Sequence, residues 1–246
     1  MKRIGVVGAK GTMGQRVMAL LEVRGYEIIA IDPMDATVPS RLKDAPMVDV
    51  VIDFSHPANC EALLEDAARL NTPLVIATTG FSEAQQAAIE KTANHLAIFQ
   101  SANMAFGVHV LRRIISQYAA VLSDYDIEII EQHHRYKQDA PSGTATMLAQ
   151  TINETLPSPR TLTSQRAGKR SDDAIGMSVV RAGNIVGKHD VMFASSGDSI
   201  TISHEALSKD LFAEGALKAA KFITQKTSGL FGMDQLIEES GQTHEQ

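Results

Sequence analysis

A short β-branched run, Ile4–Val7, leads directly into Gly8-Ala9-Lys10-Gly11-Thr12-Met13-Gly14, and a helical pattern opens at once behind it. Glycines three residues apart allow a tight strand-to-helix turn and bring backbone close to a pyrophosphate. A helix starting near Thr12 aims free N–H groups and a positive dipole end at the anion. A plain strand-to-helix turn would carry the same glycines, so context decides. A second strand ends in Asp32, about 20 residues on, where a carboxylate takes the ribose hydroxyls of a bound dinucleotide. That carboxylate favours a free 2′-hydroxyl and repels a 2′-phosphate, which points to NADH. Pro33 follows it, so no arginine stands there to cradle the phosphate. Lys10 offers compensating charge, and NADPH stays open.

The glycine turn is the first beat of a longer rhythm. Ile4–Val7, Glu27–Ile31, Val48–Phe54, Leu74–Ala77 and Leu96–Phe99 alternate with helical patterns at 12–24, 57–70 and 82–94. These runs lack a polar face, as strands do when helices cover both sides of a parallel sheet. The expected fold class is α/β: a Rossmann-like, doubly wound parallel sheet, joined by a smaller α+β domain with a mixed sheet. The dinucleotide-binding domain is expected over residues 1–104, completed by about 213–246 through a helix at Leu211–Thr224. The second domain, 105–212, holds a long helix (Gly107–Leu122) and an extended segment (Asp126–Gln132). Three more extended runs follow at Gly176–Arg181, His189–Ala194 and Ser199–Ser203. Residues 158–173 are expected to form a long loop and 238–246 a frayed tail.

Composition excludes several classes. A net charge of −6 argues against a chain-wide basic surface for nucleic acid or anionic membrane. No apolar run approaches the roughly 18 residues that span a bilayer. The single cysteine, Cys60, rules out an intrachain disulfide and a CxxC metal site. Met1-Lys2-Arg3 leaves only Ile4–Val7 before the glycines, too little for a signal peptide's apolar region. A cytoplasmic protein is expected.

The densest chemistry lies in Glu128-Ile-Ile-Glu-Gln-His-His-Arg-Tyr-Lys-Gln-Asp-Ala-Pro-Ser-Gly-Thr-Ala145. Adjacent His133 and His134 leave a strand facing opposite ways, so they do not share a metal, and no partner supports zinc. Histidine near its ordinary pKa of about 6.5 is instead a proton donor suited to neutral pH. Lys137 supplies fixed positive charge, and Pro141-Ser142-Gly143-Thr144 opens a helix (Ala145–Leu156) whose free N–H groups form an anion seat. Between His133 and Asp190, eight Lys/Arg outnumber five Asp/Glu, a local +3 that would draw an acidic small molecule. Taken alone, the segment also suits a solvated polar loop. Ala77-Thr78-Thr79-Gly80, Ser101-Ala102-Asn103-Met104 and Asp53-Phe54-Ser55 fall at strand C-termini, where ligands of open α/β sheets sit.

These strings, with RAGNIVGKHDVMF at 181–193, resemble the 4-hydroxy-tetrahydrodipicolinate reductases of the bacterial diaminopimelate and lysine pathway, and the resemblance covers essentially the whole chain. It implies a hydride transfer from NAD(P)H to a small cyclic dicarboxylate. His133 would be the proton donor/acceptor and Lys137 its catalytic partner, with His134, Gly143 and Thr144 binding substrate. Gly8, Ala9, Lys10, Gly11, Thr12, Met13, Asp32, Ala77, Thr78, Thr79, Ser101, Ala102, Asn103 and Met104 would hold the cofactor. The implied reaction needs the two domains to close over the ligand, and the family implies a homotetramer. Asp32-Pro33 stands where the family often has Glu-Arg, which disfavours a strong NADPH preference. Lys209 and Asp198 replace common Arg and Glu without touching the catalytic assignment. Two other readings are a related two-domain dehydrogenase of amino-acid metabolism and a non-catalytic NAD-sensing protein.

Overall fold

The computed structural model describes residues 1–164 and 168–242. Along the first part run β1 (Arg3–Val7), α1 (Thr12–Val23), β2 (Glu27–Ile31), β3 (Val50–Asp53), α2 (Cys60–Leu70), β4 (Leu74–Ile76), α3 (Glu83–Ala93) and β5 (Ala97–Gln100). Then come α4 (Phe106–Tyr118), β6 (Asp126–His133), α5 (Gly143–Thr155), β7 (Thr161–Thr163), β8 (Ala174–Arg181), β9 (Gly187–Ala194) and β10 (Ser199–Ala206). The last elements are α6 (Asp210–Ile223), β11 (Gly229–Phe231) and α7 (Met233–Gln242). The chain divides into two compact units: Met1–Phe106 with Asp210–Gln246, and Gly107–Lys209. None of the described helices is long and apolar enough to cross a membrane.

The first unit is a six-stranded, fully parallel sheet in the order β11-β5-β4-β3-β1-β2. Alternate strand residues serve opposite faces. Ile4, Val6, Ile52, Val75 and Phe99 pack with α1, α6 and α7, whereas Val7, Val51, Ile76 and Ile98 pack with α2 and α3. This is the doubly wound arrangement. Because β1 lies between β2 and β3, the connections after β1 and β3 diverge and leave a crevice at the carboxyl edge.

The second unit is a mixed five-stranded sheet, β10-β9-β6-β8-β7, with β9 antiparallel to β6 and β8 parallel to it. Its core is on one face only. Ile127, Ile129, Ile175, Met177, Val191 and Phe193 meet Leu111 and Ile115 of α4 and Leu148 and Ile152 of α5. On the opposite face Ser178, Val180, Thr201 and Ser203 are exposed, whereas Glu128, Ile130, Gln132 and Met192 nearer the middle are half-buried.

Local differences from the sequence expectations have physical causes. The long helix stops at Tyr118, and turns occupy 119–122. Within residues 158–173, β7 pairs with β8; Gln165, Arg166 and Ala167 lie outside the described residues. The expected tail is helical to Gln242, and 243–246 are outside the described residues. β11 extends the sheet beside β5 through only three residues, too few to show a period. α5 begins at Gly143 rather than Ala145 because Ser142 caps it, its Oγ accepting from the Ala145 N–H at 3.2 Å.

The return of α6 to the first unit, where its apolar face joins the core, includes one very close approach. A Cβ on Gly215 would stand 1.7 Å from the Met104 carbonyl oxygen. Helix propensity alone would make Gly215→Ala stabilising by about 1 kcal/mol. The contact demands the reverse, a loss of about 3 kcal/mol, read in thermal unfolding as a Tm lower by roughly 6–12 °C. An unchanged or raised Tm would contradict this seating of α6.

Candidate active site

In the first unit, the glycine turn is built as diphosphate binding requires. Gly8 has φ +77°, and a Cβ there would lie 2.6 Å from the Phe54 carbonyl oxygen. A Cβ on Gly14 would lie 2.1 Å from the Gly8 carbonyl oxygen, so this glycine lets α1 lie against β1. Gly11 is the N-cap of α1, with no side-chain cap and no acid in the first turn. The N–H groups there are left to an anion. Asp32, 6% exposed, accepts from the Lys10 N–H and the Met34 N–H, each at 2.9 Å. These two bonds aim its carboxylate into a cavity of about 550 Å³ lined also by Gly8, Lys10, Gly11 and Asp35. Lys10 Nζ is 3.0 Å from Asp35 Oδ2. Hydrogen bonds from the Thr37 hydroxyl and backbone, then Lys10, bring the Asp35 carboxyl down to about 2. The cationic side chain of the turn is thus already matched by a carboxylate.

Two further cavities continue along the carboxyl edge. One, about 590 Å³, is lined by Met13, Phe54, Ser55, His56, Ala77, Thr78 and Thr79; the other, about 370 Å³, by Thr78, Thr79, Ser101 and Ala102. Most of the sequence-predicted cofactor residues are therefore gathered along one edge. Thr12 is exposed on the first turn of α1. Ala9 and Met104 instead bury their side chains in the core, leaving backbone as their contribution. Asn103 Oδ1 accepts from the Ala105 N–H at 2.8 Å and shapes the turn. The glycine cradle, the uncapped helix start and the Asp32 carboxylate fit a dinucleotide.

In the second unit, the buried face of β6 changes character along its length. Ile127 and Ile129 are core residues, and the next two positions on that face are Glu131 and His133. Glu131 is 1% exposed. Arg181 of β8 donates to it twice, Nη1 to Oε2 and Nη2 to Oε1, each at 2.8 Å. The Ser142 N–H donates to Oε1 at 3.0 Å, and His133 Nδ1 lies 2.5 Å from Oε2. Burial raises the Glu131 carboxyl, but Arg181, His133 and Ser142 outweigh it and hold it below the ordinary carboxylate range. For His133 the balance goes the other way. Burial lowers its pKa more than the Glu131 hydrogen bond and charge raise it, and Lys137 and Arg181 lower it further.

Around this pair stand the other expected residues. Lys137 Nζ is 2.8 Å from Asp139 Oδ1. His134 has a buried Nδ1 without a partner, and its ring lies 6.3 Å from that of Tyr136. Gly143 and Thr144 form the first turn of α5, and a Cβ on Gly143 would meet nothing within 4 Å. The local +3 overstates the positive charge offered to a ligand. Arg160 donates to the Tyr125 and Ser123 carbonyls, and Arg170 pairs with Asp126 and Glu128. Among the described residues, no group of three His, Cys, Asp or Glu is placed to hold a metal. Sequence reasoning passed over Glu131, Arg181 and His189, although the period of two from Ile127 to His133 already puts Glu131 and His133 on one face.

His189, opposite Glu131 on β9, is 4% exposed; its Nε2 is 3.0 Å from Ser142 Oγ and its ring centroid 5.1 Å from that of His133. Burial, aided by the charge of His133, lowers its pKa from 6.5 to about 4. Between those values the unfolded chain takes up a proton that the folded chain refuses, so stability falls as pH drops from about 6.5 toward 4. His189→Gln should remove about 2 kcal/mol of the stability difference between pH 7 and pH 5. Denaturant unfolding at both pH values measures this, and an equal slope in both proteins would contradict it.

Comparison with known proteins places this geometry. The family model for the N-terminus of dihydrodipicolinate reductase matches residues 2–104, and that for its C-terminus matches 107–237. A 4-hydroxy-tetrahydrodipicolinate reductase of Caldanaerobacter subterraneus subsp. tengcongensis is 44% identical over 247 residues, covering 96% of this chain and 98% of the relative. Another, from Clostridium tetani, is 39% identical, covering 96% and 97%. The solved structure of a dipicolinate-bound dihydrodipicolinate reductase from Paenisporosarcina sp. TG-14 aligns with a TM-score of 0.81 at 25% identity, covering 96% of this chain and 99% of that one. The chain belongs to the dihydrodipicolinate reductase family.

Proposed function

We propose that this protein reduces 4-hydroxy-tetrahydrodipicolinate to tetrahydrodipicolinate, in diaminopimelate and lysine biosynthesis, with NADH as its preferred reductant. The observation that carries the reading is the buried Glu131–His133 pair beside the N-terminus of α5, in a chain whose relatives bear that enzyme's name. The dipicolinate in the Paenisporosarcina protein is a cyclic dicarboxylate of the same shape class.

Residues 1–104, completed by about 213–246, hold the dinucleotide, and 105–212 hold the substrate and the subunit contacts. Gly8, Ala9, Lys10, Gly11, Thr12 and Met13 take the diphosphate through backbone N–H groups, and Asp32 takes the ribose. Ala77, Thr78, Thr79, Ser101, Ala102, Asn103 and Met104 border the nicotinamide. The bound cofactor supplies a hydride. His133 supplies the proton, and the 4-hydroxyl leaves as water, so hydride, proton and water balance the reduction. Lys137 and the first turn of α5 at Gly143 and Thr144 hold carboxylate and spread negative charge. His134, with its unpartnered Nδ1, takes the second polar contact. The exposed face of the mixed sheet supports assembly as a homotetramer, and the single cysteine, Cys60, supports a cytoplasmic setting.

NADH is preferred because the ribose end of the cavity holds two carboxylates, Asp32 and Asp35, with Lys10 matched to the second. A 2′-phosphate would meet net negative charge.

Absorbance at the reduced-nicotinamide band, with freshly generated substrate and each cofactor in turn, tests reaction and preference together. Turnover with NADH at the higher kcat/KM is expected; no turnover with either cofactor would remove the functional reading. His133→Gln should lower kcat by roughly 10²- to 10⁴-fold, and full activity in that variant would remove the role assigned to His133. The falling alkaline limb of kcat/KM should lie below the ordinary histidine value, since burial lowers His133 in the free protein. The limb of kcat should lie higher, because a bound dianion favours the imidazolium.

A further inference from the structure

We infer that Glu131 and Gly187 are positioning residues that seat the His133 ring from opposite edges, so that Nε2, and not Nδ1, is the nitrogen that exchanges a proton with the ligand. The inference rests on the reading of His133 as proton donor and adds the device that aims it.

One edge of the ring is held by charge. Glu131 Oε2 lies 2.5 Å from His133 Nδ1. The carboxylate cannot swing away, because the two Arg181 bonds and the Ser142 N–H fix both of its oxygens. A carboxylate only accepts, so Nδ1 must carry the hydrogen of that bond. In the neutral ring Nε2 is then the bare nitrogen, and in the imidazolium it is the one whose proton is free to leave. The other edge is held by shape. The β6–β9 register pairs Gln132 with Lys188, which sets Gly187 beside His133. A Cβ built on Gly187 would stand 3.1 Å from His133 Nε2 and 3.3 Å from Cδ2. With Nδ1 already at hydrogen-bond distance from Glu131, the ring can yield to a Cβ there only by a shift that disturbs that bond. The glycine has an ordinary backbone conformation, so the requirement is for space.

Among the described residues, the titratable and charged groups facing the ring are Glu131 on β6, Arg181 on β8, His189 on β9 and Lys137 in the loop after β6. Glu131 alone among them favours the imidazolium. Glu131→Gln should therefore move the alkaline limb of kcat/KM to lower pH and reduce kcat at pH 7.5 by about tenfold or more, with KM changed less than about threefold. Glu131→Asp retains the charge one methylene short of the ring, so it should recover the limb position and only part of the rate. Gly187→Ala should reduce kcat about tenfold by displacing the ring a few tenths of an ångström, with the limb unmoved because the carboxylate remains.

The experiment is a pH profile of kcat/KM and kcat for these three variants, for His133→Gln and for the Glu131→Gln/His133→Gln double variant. Each is first shown folded by its unfolding midpoint. If Glu131 acts through His133, the double variant is no slower than His133→Gln alone. An unmoved limb in Glu131→Gln, or a further tenfold loss in the double variant, would overturn the inference for Glu131. A wild-type rate in Gly187→Ala would overturn it for Gly187. Should Glu131→Gln not fold, the Asp and Gly187 variants decide: wild-type kcat in both overturns the inference, and losses in both with an unmoved limb sustain it. Full activity in His133→Gln would instead overturn the parent reading.

Discussion

A carboxylate buried to 1% exposure stays ionised only where its lost hydration is replaced group by group, and at Glu131 that replacement is complete. Arg181 brings the opposing charge in a two-pronged bond, Ser142 a backbone N–H, and His133 its Nδ1. Each partner belongs to a different stretch of chain: β8, the cap of α5, and the end of β6 itself. The single buried charge therefore fixes where α5 starts, how β8 finishes against β6, and which way the imidazole points. Removing it would unsettle all three, which is why so costly a group lies where apolar packing of the same face ends.

The two units solve the same problem independently. In the first, Asp32 at the end of β2 is held by the Lys10 and Met34 N–H groups and lines a cavity of about 550 Å³. In the second, Glu131 near the end of β6 is held by Arg181 and Ser142. Each sheet keeps its apolar residues toward the middle and places fixed charge where strands run out and helices begin. There, the N–H groups at the uncapped start of α1 and the dipole of α5 add positive potential. Fixed dipoles of this kind need little reorganisation to meet an anion.

Much of this was legible from residues alone. Unbroken apolar strands gave the doubly wound sheet, because two-sided burial leaves no polar positions in Val50–Ile52 or Leu74–Ile76. The glycine turn gave the cofactor crevice, since both Gly8 and Gly14 sit where a methyl group would strike backbone. Side-chain chemistry singles out His133 and Lys137 in the sequence, and the structure sets Lys137 near enough for its charge to act on the His133 ring. What stayed hidden was long-range. Arg181 lies 50 residues from Glu131, and only the parallel register of β6 with β8 brings them together. His189 looked like an ordinary strand residue because its burial depends on β9 pairing with β6. β7 and β11 escaped notice because three residues hold too little pattern, and their pairing partners supply what local preference does not. Counting charge over 133–190 misled, since Arg160 and Arg170 spend theirs on carbonyls and acids of their own unit.

A charged, buried carboxylate dictates the tautomer of one imidazole. Long-range 1H–15N correlation of the His133 ring, with the resonance assigned by its absence in His133→Gln, reads that tautomer in solution above the ring's pKa. A ring protonated on Nδ1 with Nε2 bare is the outcome the geometry requires; a ring protonated on Nε2 would contradict it.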